Sequence, residues 1–146
     1  MASMPSGDSP GPAQSMRLAR AAEEAILEHS HQTRPEECCG LLLGRGDRVV
    51  RTYATRNAAQ DRRRRFLVEP KDYFDAIREA RREALDVLGA YHSHPHSAAI
   101  PSATDRAEAF EDFIFVIVGL GCDPPDLRAW SWADGNFDPV AIVRCP

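Results

Sequence analysis

The stretch Phe113-Ile114-Phe115-Val116-Ile117-Val118-Gly119-Leu120 is the strongest strand signal in the chain, a continuous run of β-branched and aromatic residues. Residues 102–111 just before it read as a short helix. Residues 86–93, which include Val87, Leu88, Gly89, Ala90 and Tyr91, read as a central strand before that. Downstream, residues 127–132 and 137–143 read as two strands joined by the turn signal Asp134-Gly135-Asn136. Pro139 predicts that the last strand lies at an edge or carries a bulge. Farther upstream, Pro70 opens a helix whose inner face is marked by Tyr73, Phe74, Ile77, Ala80 and Leu85. Phe66-Leu67-Val68 reads as a short strand before it. Residues 38–43 and 49–54 predict a β-hairpin turning at Gly46-Asp47, with the first strand buried on both faces. From Met16 to His31 the residues Met16, Leu18, Ala22, Ile26 and Leu27 predict an amphipathic helix, and Pro35 ends it. Helices and strands interleave, so the expected fold class is mixed α/β around one sheet.

The 146 residues suit one domain, expected over 16–146. Residues 1–15 are rich in Pro, Gly and Ser and predict a disordered tail. A net charge of −4 lacks the basic footprint of a nucleic-acid binder. No apolar run is long enough to predict a membrane span, and no secretory signal opens the chain. Cys38, Cys39, Cys122 and Cys145 form no pair of CxxC units, so a reducing cytoplasm is expected. Cys38 and Cys39 read as core residues; whether Cys122 and Cys145 approach each other stays open. Trp130 and Trp132 share one strand face, which predicts burial in the core or in a homodimer interface.

Chemistry concentrates in Tyr91-His92-Ser93-His94-Pro95-His96 and Pro101-Ser102-Ala103-Thr104-Asp105. On a strand, His92 and His94 point to the same face, where two imidazoles can converge on one metal ion. Asp105, in the first turn of the next helix, is the natural third ligand. Two His and one carboxylate leave a position of tetrahedral zinc open for water, the pattern of a catalytic site. Ser102-Ala103-Thr104-Asp105 is also a capping-box pattern, so Asp105 and Ser102 have a purely structural reading, compatible with the first. His96 lies beyond Pro95 and reads as solvent-exposed. Water activation needs a base, and either Glu36 or Glu37, before the buried run 38–43, fits that role. Arg62-Arg63-Arg64-Arg65 reads as a solvated loop, with attraction of an acidic carrier surface as its functional alternative.

Together these residues resemble the JAMM (MPN+) metalloprotease family. Its pattern is a Glu, then HxHP, six residues, Ser, two residues, Asp; residues 92–105 match it throughout. The segment Pro35-Glu36-Glu37-Cys38-Cys39-Gly40-Leu41-Leu42-Leu43-Gly44 is similar to the P-x-E-x-C-G-L-L-x-G signature of small prokaryotic members, and that alignment selects Glu37. The resemblance runs from about Arg17 to Val143. It implies a cytidine-deaminase-like fold, a mixed central sheet flanked by helices. It implies one zinc per chain on His92, His94 and Asp105, with Glu37 as general base and Ser102 as oxyanion donor. It further implies hydrolysis of an amide or isopeptide bond after the C-terminal Gly-Gly of a ubiquitin-like or sulfur-carrier protein. Such a tail is expected to add as a strand beside the site. A nucleoside deaminase is set aside, because HxE and PCxxC are missing. The alternatives are a non-catalytic ubiquitin-like-binding scaffold and a peptidase acting on small peptides.

Overall fold

The computed structural model describes residues 14–109 and 112–146. The expected tail lies outside them but for its last two residues. In chain order the elements are β1 (Ser15–Ala19), α1 (Arg20–Thr33), β2 (Cys39–Arg45), β3 (Arg48–Thr55), α2 (Pro70–Arg82), β4 (Asp86–His94), α3 (Ala103–Glu108), β5 (Ile114–Gly119), β6 (Asp126–Ala133) and β7 (Asn136–Cys145). The strands run β1-β3-β2-β4-β5-β6-β7, and β7 pairs back onto β1, so the sheet closes on itself. The β1–β3, β4–β5 and β7–β1 pairings are parallel and the others antiparallel. The expected mixed sheet with helices on its faces is observed; its closure was not expected. Among the described residues no helix is long and apolar enough to cross a membrane.

Alternation along the strands divides the core. On one face Leu18, Ala22, Ile26, Leu42, Tyr91, Val116 and Val118 pack under α1. On the other, Leu41, Leu43, Ala90 and Phe115 pack with Ala76 and Ala80 of α2. The apolar run of β2 is buried along nearly its whole length, since both faces are covered. Trp130, Trp132 and Phe137 border the second cluster.

Several expectations are corrected. Met16 and Leu18 lie in β1 and not in a helix; their spacing of two is a strand period, satisfied by pairing with β7 and β3. The helix begins at Arg20, and Ala22, Ile26 and Ser30 form its buried stripe. Residues 66–68 form no strand, only a single bridge between Val68 and Asn57. Phe74 is 64% exposed and faces out of α2; Ala76 takes the inner position instead. The third helix ends at Glu108, and residues 110–111 are outside the described ones. Pro139 sits opposite Trp130 in a strand with a neighbour on each side, but β1 pairs only with residues 141–145. Its missing N–H therefore costs no ladder bond there. Asp134 and Gly135 both have positive φ, 52° and 77°, as a two-residue hairpin loop requires.

Candidate metal centre and active site

Strand β4 carries two environments on alternate residues. Tyr91 and Ser93 face α1, where the Tyr91 hydroxyl lies 2.7 Å from His29 Nδ1. His92 and His94 face the other way, at the end of the strand where Pro95 stops it. Gly119 of β5 lets the following loop come close, since a Cβ there would lie 2.5 Å from Ala99 N and 2.6 Å from Ala98 C. That loop presents the Ala98 carbonyl to His94 Nδ1 at 2.8 Å.

The next helix brings Asp105 back to the same point. Ser102 is its N-cap: Asp105 N donates to Ser102 Oγ (3.1 Å), and Ser102 N donates to Asp105 Oδ2 (2.9 Å), a complete capping box. Both readings of Asp105 hold at once. While capping, it lies 3.1 Å from His92 Nε2 through Oδ1 and 3.1 Å from His94 Nε2 through Oδ2. The two imidazole Nε2 atoms are 3.2 Å apart.

These three donors fit a metal ion. Tetrahedral zinc with bonds of about 2.0–2.1 Å places its donor atoms roughly 3.3–3.4 Å apart, close to the triangle observed. When His94 donates from Nδ1 to Ala98, its Nε2 lone pair points at the triangle, the usual arrangement of a ligating His. An imidazole lone pair and a carboxylate at this distance repel unless a cation or proton lies between them.

The electrostatics agree. Burial pushes the Asp105 carboxyl up, but His92 and His94 outweigh burial and hold it far below the usual carboxylate range. Burial lowers the His92 pKa. Burial also opposes charge on His94, yet Asp105 and the Ala98 carbonyl outweigh it and the pKa rises. Asp105 is thus held ionised, a fixed negative charge facing the two imidazoles.

Glu37 lies just before β2, 5% exposed. Burial, with lesser contributions from Asp105 and Asp61 against His94, raises its pKa to about 8. Among the described residues, two buried side-chain atoms have no hydrogen-bond partner: Glu37 Oε1 and His92 Nδ1. Both belong to this cluster, and unpartnered buried polar atoms are rare enough to mark a site. Glu37, His94 and Ser102 line one cavity of about 300 Å3. Glu36 is turned away and pairs with Arg62 at 3.3 Å, so geometry favours Glu37 of the two candidates. Ser102 is exposed, and its hydroxyl accepts from Asp105 while its own proton stays free to donate. His96 is exposed, as expected.

Three supporting residues have no sequence signature. Ser93 clamps the residue after Glu37 twice: Cys38 N donates to Ser93 Oγ (2.9 Å), and Ser93 N donates to Cys38 O (3.2 Å). Asn57 donates to Glu37 O (3.0 Å) and Arg65 O (3.1 Å), and accepts from Ala59 N and Leu67 N at 3.0 Å each. Phe66 stacks on the His92 ring at 4.3 Å. An Asn placed soon after a strand was the one available hint of a loop hub. Strand β4 itself is paired on both sides, through His92 with β2 and through His94 with β5. A strand adding beside the site would therefore pair elsewhere than on β4, and β3 beyond Val49 has no strand on its outer side among the described residues.

Known proteins complete the picture. The model for prokaryotic homologs of the JAB domain matches residues 19–133. A desampylase of Haloferax volcanii is 29% identical, covering 88% of this chain and 95% of its own. A probable TtuB-protein conjugate cleaving protease of Thermus thermophilus is 32% identical over 86% of this chain and 80% of its own. The solution structure of a Desulfitobacterium hafniense protein is 31% identical, with a TM-score of 0.82 over 89% of this chain and 92% of that one. The buried His-His-Asp triangle, the neighbouring carboxyl and the fold that joins them thus occur in a chain that belongs to the prokaryotic JAB-domain family.

Proposed function

We infer that the chain is a zinc-dependent hydrolase that cleaves the amide or isopeptide bond after a Gly-Gly terminus of a ubiquitin-like or sulfur-carrier protein. One observation carries this most strongly: three buried donors converge at 3.1–3.2 Å beside a buried, unpartnered carboxyl oxygen. Relatives named for cleaving ubiquitin-like conjugates support the substrate class.

His92, His94 and Asp105 would hold the ion. Zinc bound there supplies Lewis acidity, lowering the pKa of water to about 7 and polarising a carbonyl. Glu37 accepts a proton from the attacking water. The water oxygen bonds to the acyl carbon, the C–N bond breaks with its electron pair going to nitrogen, and Glu37 returns the proton to the leaving amine. Ser102 donates its free proton to the developing oxyanion, as other such donors do at about 3–4 kcal/mol. All five residues come from one chain, so a monomer holds the full set. Cytoplasmic placement goes with this reading, and all four cysteines are free.

The test combines metal content with turnover of a Gly-Gly-extended ubiquitin-like fusion. The wild-type protein should bind about one zinc and cleave after Gly-Gly. Glu37→Gln should keep the zinc and lose about 10²–10⁴-fold in kcat. Zinc binding with no effect of Glu37→Gln on turnover would overturn the base assignment. A zinc-free, folded protein that still binds the fusion would favour the scaffold alternative.

A further inference from the structure

The cavity that contains Glu37, His94 and Ser102 is also lined by Arg63 and Arg64. Their loop is tied to the base-bearing residue: Glu37 N donates to Arg62 O at 2.7 Å, and Asn57 Nδ2 bridges Glu37 O and Arg65 O. The loop that carries the two arginines is thus tied to the base-bearing residue, and both line its cavity. They are also poorly neutralised. Arg62 is taken by Glu36, as Arg56 is by Asp72 and Arg144 by Glu23. Arg64 meets only Asp61, at 4.0 Å, and Arg63 has no ion-pair partner among the described residues. In a chain of net charge −4 this local excess of positive charge is not a by-product of composition.

We propose that Arg63 and Arg64 form a carboxylate-binding subsite beside the scissile amide, which takes the C-terminal α-carboxylate of the residue to be released. The favoured substrate is then a Gly-Gly chain extended by a terminal amino acid, and not one joined to a lysine side chain. The inference rests on the hydrolase reading above. Covalent structure carries the choice. In a terminal residue the carboxylate is one Cα away from the scissile nitrogen, so it must enter the same small cavity. In an isopeptide that nitrogen ends a four-carbon stem and brings no anion with it. A volume of about 300 Å3 is at the lower end for small-ligand sites and has room for a single released residue. Guanidinium binds carboxylate through paired, charge-assisted hydrogen bonds that strengthen where water is displaced. The same chemistry on a partner's acidic side chain is the competing source.

The experiment uses labelled peptides sharing one body that ends in Gly-Gly. One is extended by alanine with a free carboxylate. A second carries the same alanine as its amide. A third is joined to a lysine side chain, and a fourth is the amide with an aspartate upstream. The zinc-loaded wild-type protein should show a kcat/KM for the free carboxylate about tenfold or more above the amide and the isopeptide, mainly through KM. In Arg63→Ala/Arg64→Ala that ratio should fall to about one, and Arg63→Lys/Arg64→Lys should restore part of it. Equal rates for carboxylate and amide, or a ratio that survives the double alanine variant, would overturn the subsite. So would an upstream aspartate that replaces the carboxylate. Fluorescence anisotropy on the Glu37→Gln protein measures the same preference without turnover. If no probe is cleaved yet the carboxylate still binds tenfold tighter through Arg63 and Arg64, the hydrolase reading fails and the subsite stands.

Discussion

Glu37 has an unpartnered buried oxygen and a pKa raised to about 8, chiefly by burial. In the metal-free protein its folded form keeps a proton that the unfolded chain releases near the ordinary Glu value of 4.5. Its contribution to stability is therefore full below about pH 4.5 and is lost as pH rises toward about 8. The chelated wild-type protein should lose Tm across that window relative to Glu37→Gln, whose amide cannot ionise. A difference between the two that does not change from pH 5 to pH 8.5 would show that the carboxyl is not held in this way. Asp105 works in the opposite direction: its lowered pKa gives stability above the ordinary Asp value that is lost as pH falls below it. Its two duties can be separated. Asp105→Asn keeps an acceptor for Ser102 N, so it should retain the cap while losing the charge-dependent stability and weakening zinc binding. Asp105→Ala removes the cap as well and should cost about 1 kcal/mol more, read by urea denaturation of the chelated proteins. His92, His94 and Asp105 were legible as a group, because a strand period of two and a helix-start signature both act locally. Geometry alone left Glu36 and Glu37 open in the sequence, since only the fold turns one inward and pairs the other with Arg62.

At the level of elements, β4 offers its α1 face to packing and its other face to chemistry. Ser93 links the two by clamping Cys38 next to Glu37. The loop at residues 57–67 depends on Asn57 alone for four hydrogen bonds, two of which fix it to Glu37 and to the arginine turn. Asn57→Ala should cost about 1–3 kcal/mol, because it strands backbone groups that were satisfied. It should also reduce kcat more than zinc affinity, since it loosens the base and not the metal donors; an equal loss in both would contradict that division. Only the bond from Ala59 N, two residues on, is an ordinary Asn turn signal; the bonds to Glu37, Arg65 and Leu67 leave no periodic trace in the sequence. The same reason hid β1. Five residues with a period of two merge into the helix that follows, and only partners distant in sequence, Arg48 opposite Arg17 and Ala141 opposite Ser15, identify the strand.

The molecule as a whole joins three parts of the chain at the centre: the start of β2, the end of β4 and α3. Zinc joining the last two of these through His92, His94 and Asp105 stabilises the folded state by mass action, about 2.7 kcal/mol at free zinc roughly one hundred times Kd. Chelation should lower Tm by several degrees, and restored zinc should bring it back; a Tm indifferent to zinc would argue against the triangle as its site. The mixed α/β class was legible from the alternation of elements, but the closing contact between β7 and β1 was not, because it joins the two ends of the described chain. A ring of strands also changes how the protein responds to crowding and storage. Open sheets expose backbone groups that recruit strands from neighbouring molecules. Here β1 covers only the first part of β3, and where β3 runs on past Val49, Arg51 and the adjoining Arg56 stand in ion pairs with Glu83 and Asp72. Charge of this kind blunts an exposed edge. Native molecules concentrated together thus have little to stack with, and precipitation, when it comes, should begin from unfolded chains.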